Sequence, residues 1–189
     1  MSQKTRLPLD QAKGLAVEVC QLFAPYVERQ QIAGSIRRGS VMVGDIEVCC
    51  IARQDSENLF GDPDPDAPHG LLRFINEGIR DGTFETRPDI NGRVSVGSKM
   101  AWLKYRGFAL DVFCFAPEQW GVGLLIRTGS AAFSEAFVTQ HQLGGNFLRA
   151  GQSVKGWRIW NTGIALDTPE EINCFEVCGR AFIAPEDRT

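Results

Sequence analysis

The side chains of this chain best suited to chemistry are three carboxylates and one turn. Gly34-Ser35 closes a short apolar stretch, Asp45-Ile46-Glu47 opens a second, and Asp111 stands alone within Phe108-Ala109-Leu110-Asp111-Val112-Phe113-Cys114-Phe115. In a strand, residues two apart share a face, so Asp45 and Glu47 project together while Ile46 and Val48 face the opposite, core side. An acid inside an apolar strand, as at Asp111, is costly unless something positive compensates it. A divalent cation would do so. If the two strands are neighbours, the three acids can hold a pair of Mg²⁺ ions roughly 3.5–4 Å apart, one activating an attacking oxygen and the other stabilising a leaving phosphate. Hard carboxylate oxygens suit Mg²⁺, with Mn²⁺ as its substitute. The plainer alternative is that these acids form ion pairs with Arg37, Lys99 or Lys104.

At Gly34-Ser35, exposed backbone N–H groups and a hydroxyl can hold phosphate oxygens, and glycine permits close approach. Arg37 and Arg38 follow at once, where an arginine can make a bidentate contact to a triphosphate. A Gly-Ser pair alone is an ordinary turn; its value comes from the interval to the carboxylates.

The elements that must carry these groups read as an α/β body. Ala12, Leu15, Ala16, Val19, Leu22 and Phe23 recur at helical spacing over 10–27, with Pro25 as a stop. Residues 31–33 and 45–52 read as strands. The segment 55–69, with three prolines and five acidic residues, has no hydrophobic period and reads as a loop or insertion. A helix over 69–80 carries Leu71, Leu72, Ile75 and Ile79, and strands follow at 93–96, 100–105 and 108–115. Residues 130–143 read as a helix closed by Gly144-Gly145, 146–161 as a hairpin turning near Gly151-Gln152, and Thr168-Pro169-Glu170-Glu171 as a capping box opening a helix towards Gly179.

With 189 residues, 43% of them hydrophobic, the chain can bury a core of its own. No stretch approaches the roughly 20 apolar residues of a membrane span, and no signal-peptide core opens the chain, so a cytoplasmic protein is expected. The six cysteines include adjacent Cys49 and Cys50 and no C-x-x-C pair, which reads as reduced core thiols; Cys174 and Cys178 share a helical face as buried thiols rather than zinc ligands. A net charge of −3 argues against holding duplex nucleic acid by bulk electrostatics. Lys155, Arg158 and Trp160, interleaved with Trp157 and Ile159, form a candidate stacking face, weighed against a core of Trp157 and Ile159 beneath a solvated strand face. Lys99, Lys104 and Arg106 are a second basic candidate.

Gly34-Ser35-Ile36-Arg37-Arg38-Gly39 followed by Gly44-Asp45-Ile46-Glu47 resembles the signature of the DNA polymerase beta-like family X, within the nucleotidyltransferase superfamily. The likeness runs along nearly the whole chain: Arg6-Leu7-Pro8, Leu110-Asp111-Val112, Arg127-Thr128-Gly129-Ser130 and the closing Ala184-Pro185-Glu186-Asp187-Arg188 each resemble a segment of that family's catalytic region, in order. The resemblance implies a palm of mixed β-sheet flanked by helices over 1–120, with an insertion near 53–69, and a small nucleotide- and DNA-binding lobe over 121–189. It implies that Asp45 and Glu47 bind both metals and Asp111 the catalytic one. It further implies that Arg6, Gly34, Ser35, Arg38 and Gly44 meet the triphosphate, and that Thr128, Gly129 and Ser130 lie beside sugar and base.

The chain departs from that family at several places. Glu47 stands where aspartate is usual, one methylene longer. Ile126-Arg127 replaces an aromatic pair, which leaves the choice of sugar open. Ala131, Ser134, Glu135 and Val138 replace polar or basic positions that approach base or template, and no lyase or helix-hairpin-helix module is recognised. The expected activity is two-metal transfer of nucleoside monophosphates from a (d)NTP to the 3′ end of a DNA primer or gapped DNA, as in gap-filling repair. A monomer without a membrane partner is expected, of a compactness that would suit a viral or phage enzyme. The alternatives are the same chemistry on RNA, protein or a small molecule, and a nucleotide- or DNA-end-binding module without turnover.

Overall fold

A computed structural model describes residues 5–54, 69–88 and 92–188. The expected insertion falls largely on 55–68, outside the described residues. In chain order the elements are β1 (Leu7–Pro8), α1 (Leu9–Phe23), β2 (Val27–Ile32), α2 (Gly34–Arg37), β3 (Met42–Val43), β4 (Ile46–Ala52), α3 (Gly70–Asp81), β5 (Phe84–Thr86), β6 (Met100–Tyr105) and β7 (Phe108–Cys114). They are followed by α4 (Trp120–Thr128), α5 (Ala131–Val138), β8 (Gln152–Lys155), β9 (Arg158–Asn161), β10 (Ile164–Ala165) and α6 (Glu171–Cys178). These elements form two compact units, Met1–Ile32 with Val41–Cys114, and Ala33–Ser40 with Phe115–Thr189.

The first unit is built on a five-stranded sheet of order β2-β4-β7-β6-β5. β4 and β7 run parallel and the other pairs antiparallel, so the sheet is mixed. Alternation sorts its side chains: Ile46, Val48, Leu103, Leu110 and Val112 are buried together on one face, and the residues between them face the other way. α1 contributes Ala12, Ala16, Val19 and Phe23 to this core, and α3 adds Leu71 and Ile75. The rings of Phe23, Phe74 and Phe84 meet with centroids 6.0–6.3 Å apart, and Phe84 continues to Tyr105 at 5.9 Å. Fully buried rings such as Phe23 and Phe84 contribute about 1.5–3 kcal/mol each.

α3 passes so close to Phe84 that a Cβ added at Gly78 would lie 2.5 Å from the ring's Cδ2. Glycine to alanine inside a helix is ordinarily favourable by about 1 kcal/mol. Here overpacking reverses the sign: Gly78→Ala is expected to lower stability by about 1–3 kcal/mol. Urea denaturation checks this, and an unchanged or raised midpoint would contradict the packing.

The second unit buries Val122, Leu125, Phe133, Phe137, Phe147, Leu148, Ile159, Cys174, Phe175 and Cys178 in one cluster. β8, β9 and β10 form an antiparallel sheet beside it.

The structure corrects several local expectations. The strand expected at 93–96 reduces to isolated bridges, Pro88 with Val94 and Val96 with Ala101, while the edge of β6 is taken by β5, whose three residues are too few to show a period. The Gly-Ser turn is a helical turn, α2, and the strand before it is longer than expected. α4 had no sequence signal because Gly121 and Gly123 weaken a helical pattern; a Cβ at either would collide with the Thr168 and Glu170 carbonyls or the Phe115 ring. α5 ends at Val138, and a separate short 3₁₀ turn, His141–Leu143, leads to Gly144. The C-terminal hairpin turns at Gly156-Trp157 rather than Gly151-Gln152, with both turn residues at positive φ, as tight hairpin twist demands. The cap of α6 is Glu170, whose N–H donates to Asn173 Oδ1 at 3.0 Å; Thr168 is buried instead.

Candidate active site

In the first unit, β4 and β7 are parallel neighbours with Glu47 directly opposite Asp111, and Trp102 on β6 opposite Asp111 on the other side. Register partners lie about 4.7–4.9 Å apart and share a face. Asp45 immediately precedes β4, two residues before Glu47. All three acids are half-buried, while Ile46, Val48, Leu110 and Val112 fill the core behind them. β1 pairs with β3, Leu7 opposite Val43, which sets Arg6 and Gly44 at the same end of this ribbon; Arg6 is exposed and Gly44 half-buried.

A cation found on Asp111 was not among the three weighed from sequence. It is Arg87, whose Nη2 ion-pairs with Asp111 Oδ1 and whose backbone N–H donates to the Trp102 carbonyl at 3.1 Å. Nothing local marked it: it follows a three-residue strand and precedes Pro88. Lys104 pairs with Glu85 at 3.6 Å and Arg106 with Glu18 at 3.0 Å, so two members of the basic candidate are ion-paired on the surface. Among the described residues, no group of three or more His, Cys, Asp or Glu side chains converges closely enough to hold a metal ion. Two of the carboxylates, Glu47 and Asp111, are register partners on one sheet face, and hard oxygen donors of this kind are of the chemistry that suits Mg²⁺ or Mn²⁺.

In the second unit, the segment Ala33–Ser40 meets the end of α4 and the start of α6. Gly34 is buried with φ of 60°, a conformation other residues rarely take, and its carbonyl accepts from Arg38 N–H at 3.2 Å. Ser35 Oγ is buried with no hydrogen-bond partner among the described residues. Arg38 Nη1 donates to the carbonyls of Thr128 and Gly129, both at 2.5 Å, and Ser130 Oγ accepts from Phe133 N–H at 3.1 Å as the cap of α5. Six of the residues singled out from sequence, Gly34, Ser35, Arg38, Thr128, Gly129 and Ser130, therefore belong to one unit.

Arg37, a candidate phosphate contact in the sequence, is committed elsewhere. It grips Glu171 with both terminal nitrogens, at 2.9 and 2.8 Å, and donates to Thr128 Oγ1 at 2.6 Å. Arg188 Nη1 donates to the same carboxylate at 2.7 Å, and its guanidinium lies over the rings of Phe133, Phe175 and Phe182 at 5.2–5.6 Å. Burial pushes the Glu171 carboxyl up, but the hydrogen bonds and charges of Arg188 and Arg37 outweigh it and hold the group below the usual range. Glu171 passed unnoticed because its place after Pro169 reads as helix-capping.

The C-terminal hairpin meets the plainer reading only in part, because Trp157 is half-buried in the turn and not in the core. Ile159 is fully buried; Trp157 packs on Phe115 with centroids 5.2 Å apart and lies under Arg127 at 5.1 Å. Arg158 lies 5.9 Å over Trp160, half-buried beside it. Burial pushes the thiols of Cys174 and Cys178 up to about 12 and about 11, as befits protonated thiols packed in the core.

The mixed sheet with its flanking helices and a face of acids is consistent with a nucleotidyltransferase-like fold. No family model matches the chain. The chain is similar to DNA polymerase lambda of Rattus norvegicus, 25% identical over 173 residues, a match covering 82% of this chain and 28% of the relative. The likeness is to a polymerase, at low identity and over less than a third of that protein's length. No helix among the described residues is long and apolar enough to cross a membrane.

Proposed function

We propose that the chain is a divalent-metal-dependent nucleotidyltransferase of the polymerase kind, joining a nucleoside monophosphate from a (d)NTP to the 3′ end of a DNA strand. The 3′ oxygen bonds to the α-phosphorus, the bond from that phosphorus to the bridging oxygen breaks, and pyrophosphate leaves as the hydroxyl proton is lost. The observation that carries this reading is Glu47 directly opposite Asp111 on neighbouring parallel strands, with Asp45 two residues upstream of Glu47. Divalent ions held by Asp45, Glu47 and Asp111 would supply the Lewis acidity for the attacking oxygen and for the leaving phosphate. The chain's own part is to gather hard oxygen donors against an apolar core that fixes their spacing. Gly34, Ser35, Arg38, Gly44 and Arg6 are assigned to the triphosphate, and Thr128, Gly129 and Ser130 to sugar and base. The orphaned Ser35 hydroxyl supports that assignment, since a buried hydroxyl without a partner is costly unless a bound group supplies one.

Extension of a labelled gapped primer with each dNTP and NTP under Mg²⁺ and under Mn²⁺ tests the proposal. Metal-dependent lengthening with matching pyrophosphate release is expected; its absence under both ions defeats it. A second reading, the same transfer to RNA, protein or a small molecule, is favoured by the net charge of −3, which offers little bulk attraction to a duplex. Labelled triphosphate incubated with each acceptor class separates the two.

A further inference from the structure

Glu47 and Asp111 are adjacent carboxylates on one sheet face, and two like charges at register distance repel unless a cation lies between or beside them. Arg87 provides one: its guanidinium ion-pairs with Asp111, with the two side chains 21% and 14% exposed. Its position is fixed by the backbone, because Arg87 N–H donates to the carbonyl of Trp102, the residue opposite Asp111 on β6. β5 thus ends where its next side chain reaches the acid face.

From this geometry we infer that Arg87 is a stand-in cation that occupies Asp111 while no divalent ion is bound, and so sets the metal affinity of the site. It is a positioning residue whose contact must open before Asp111 ligates an ion. This rests on the metal-dependent reading above and adds a property that reading does not require. A carboxylate competent for metal only when its ion pair is open binds more weakly by the fraction of time it is open. Neutralising Arg87 abolishes that competition, whereas an arginine with a purely structural role would lower stability without tightening metal binding.

The test is Mn²⁺ titration of the full chain, followed by the electron paramagnetic resonance signal of free Mn²⁺ and independent of turnover. Arg87→Gln is expected to bind Mn²⁺ about tenfold more tightly than the wild type, and Arg87→Lys, which keeps the charge, within about threefold of it. Lys104→Gln removes one positive charge from the same sheet at a residue paired with Glu85, and is expected to change affinity less than twofold. Circular dichroism establishes that each variant is folded, and Arg87→Met, uncharged and also long, carries the same expected gain and answers the question if the glutamine variant does not fold. Equal Mn²⁺ affinity in the wild type and Arg87→Gln overturns the inference and leaves the metal-dependent reading standing; no Mn²⁺ binding by either overturns both. An equal gain from Lys104→Gln also overturns it, because the effect is then of net charge and not of contact.

Discussion

Asp111→Asn is expected to reduce the rate of nucleotidyl transfer by about 10³-fold while leaving the chain folded. Asparagine has nearly the shape of aspartate, so β7 keeps its place between β4 and β6 and the buried side chains Leu110 and Val112 on either side keep theirs. What is lost, on the proposed reading, is one of three anionic ligands, and metal-ion stabilisation of developing charge is worth several kcal/mol, about 4 corresponding to the stated factor. Single-turnover primer extension gives the rate, and thermal melting shows the fold. A loss smaller than tenfold would remove Asp111 from the site. The same substitution also leaves Arg87 without its ionised partner. The double variant Asp111→Asn with Arg87→Gln separates the causes: if a displaced arginine did the damage, activity returns; if the missing ligand did, it does not.

Glu171→Gln is expected to lower stability by about 3–5 kcal/mol, the cost of removing one member of a buried ionic group. The carboxylate is shared by Arg37 and Arg188, and the Arg188 side chain is fully buried. Glutamine fills the same space but leaves two guanidinium charges without a counter-ion, and it has one oxygen where the carboxylate used two. Urea denaturation followed by tryptophan fluorescence reads the change; a loss below 1 kcal/mol would show that solvent satisfies both arginines. The pH dependence has a definite sign. Because the folded carboxyl is held below its usual value, its contribution is fully present above the unfolded value, about pH 4.3, and is lost as pH falls through the lower folded value. Wild type therefore loses stability in that acid window by more than Glu171→Gln does.

Much of the carboxylate side was legible in the chain. Alternation is a local property, so Asp45 and Glu47 could be set on one face, and Asp111 in an apolar strand, without knowing how the strands paired. Met100–Tyr105 and Phe108–Cys114 match the strands read from their β-rich runs because a two-residue turn at Arg106-Gly107 confines both. Elements without a local pattern were lost: β5 has three residues, and α4 has two glycines whose purpose is close approach to distant atoms. The arginines show the limit most clearly. Arg37 and Arg38 look equivalent in sequence, yet one is held by Glu171 and the other by the carbonyls of Thr128 and Gly129.

By itself, then, the sequence determined the alternation of its longer strands and that three carboxylates interrupt apolar runs. Only the tertiary structure decided that Glu47 stands opposite Asp111, that Arg87 ion-pairs with Asp111, and that Arg37 and Arg188 close on Glu171. Periodicity acts over a few residues and survives in any fold, whereas ion pairs and strand register join residues far apart in the chain and exist only once packing has brought them together.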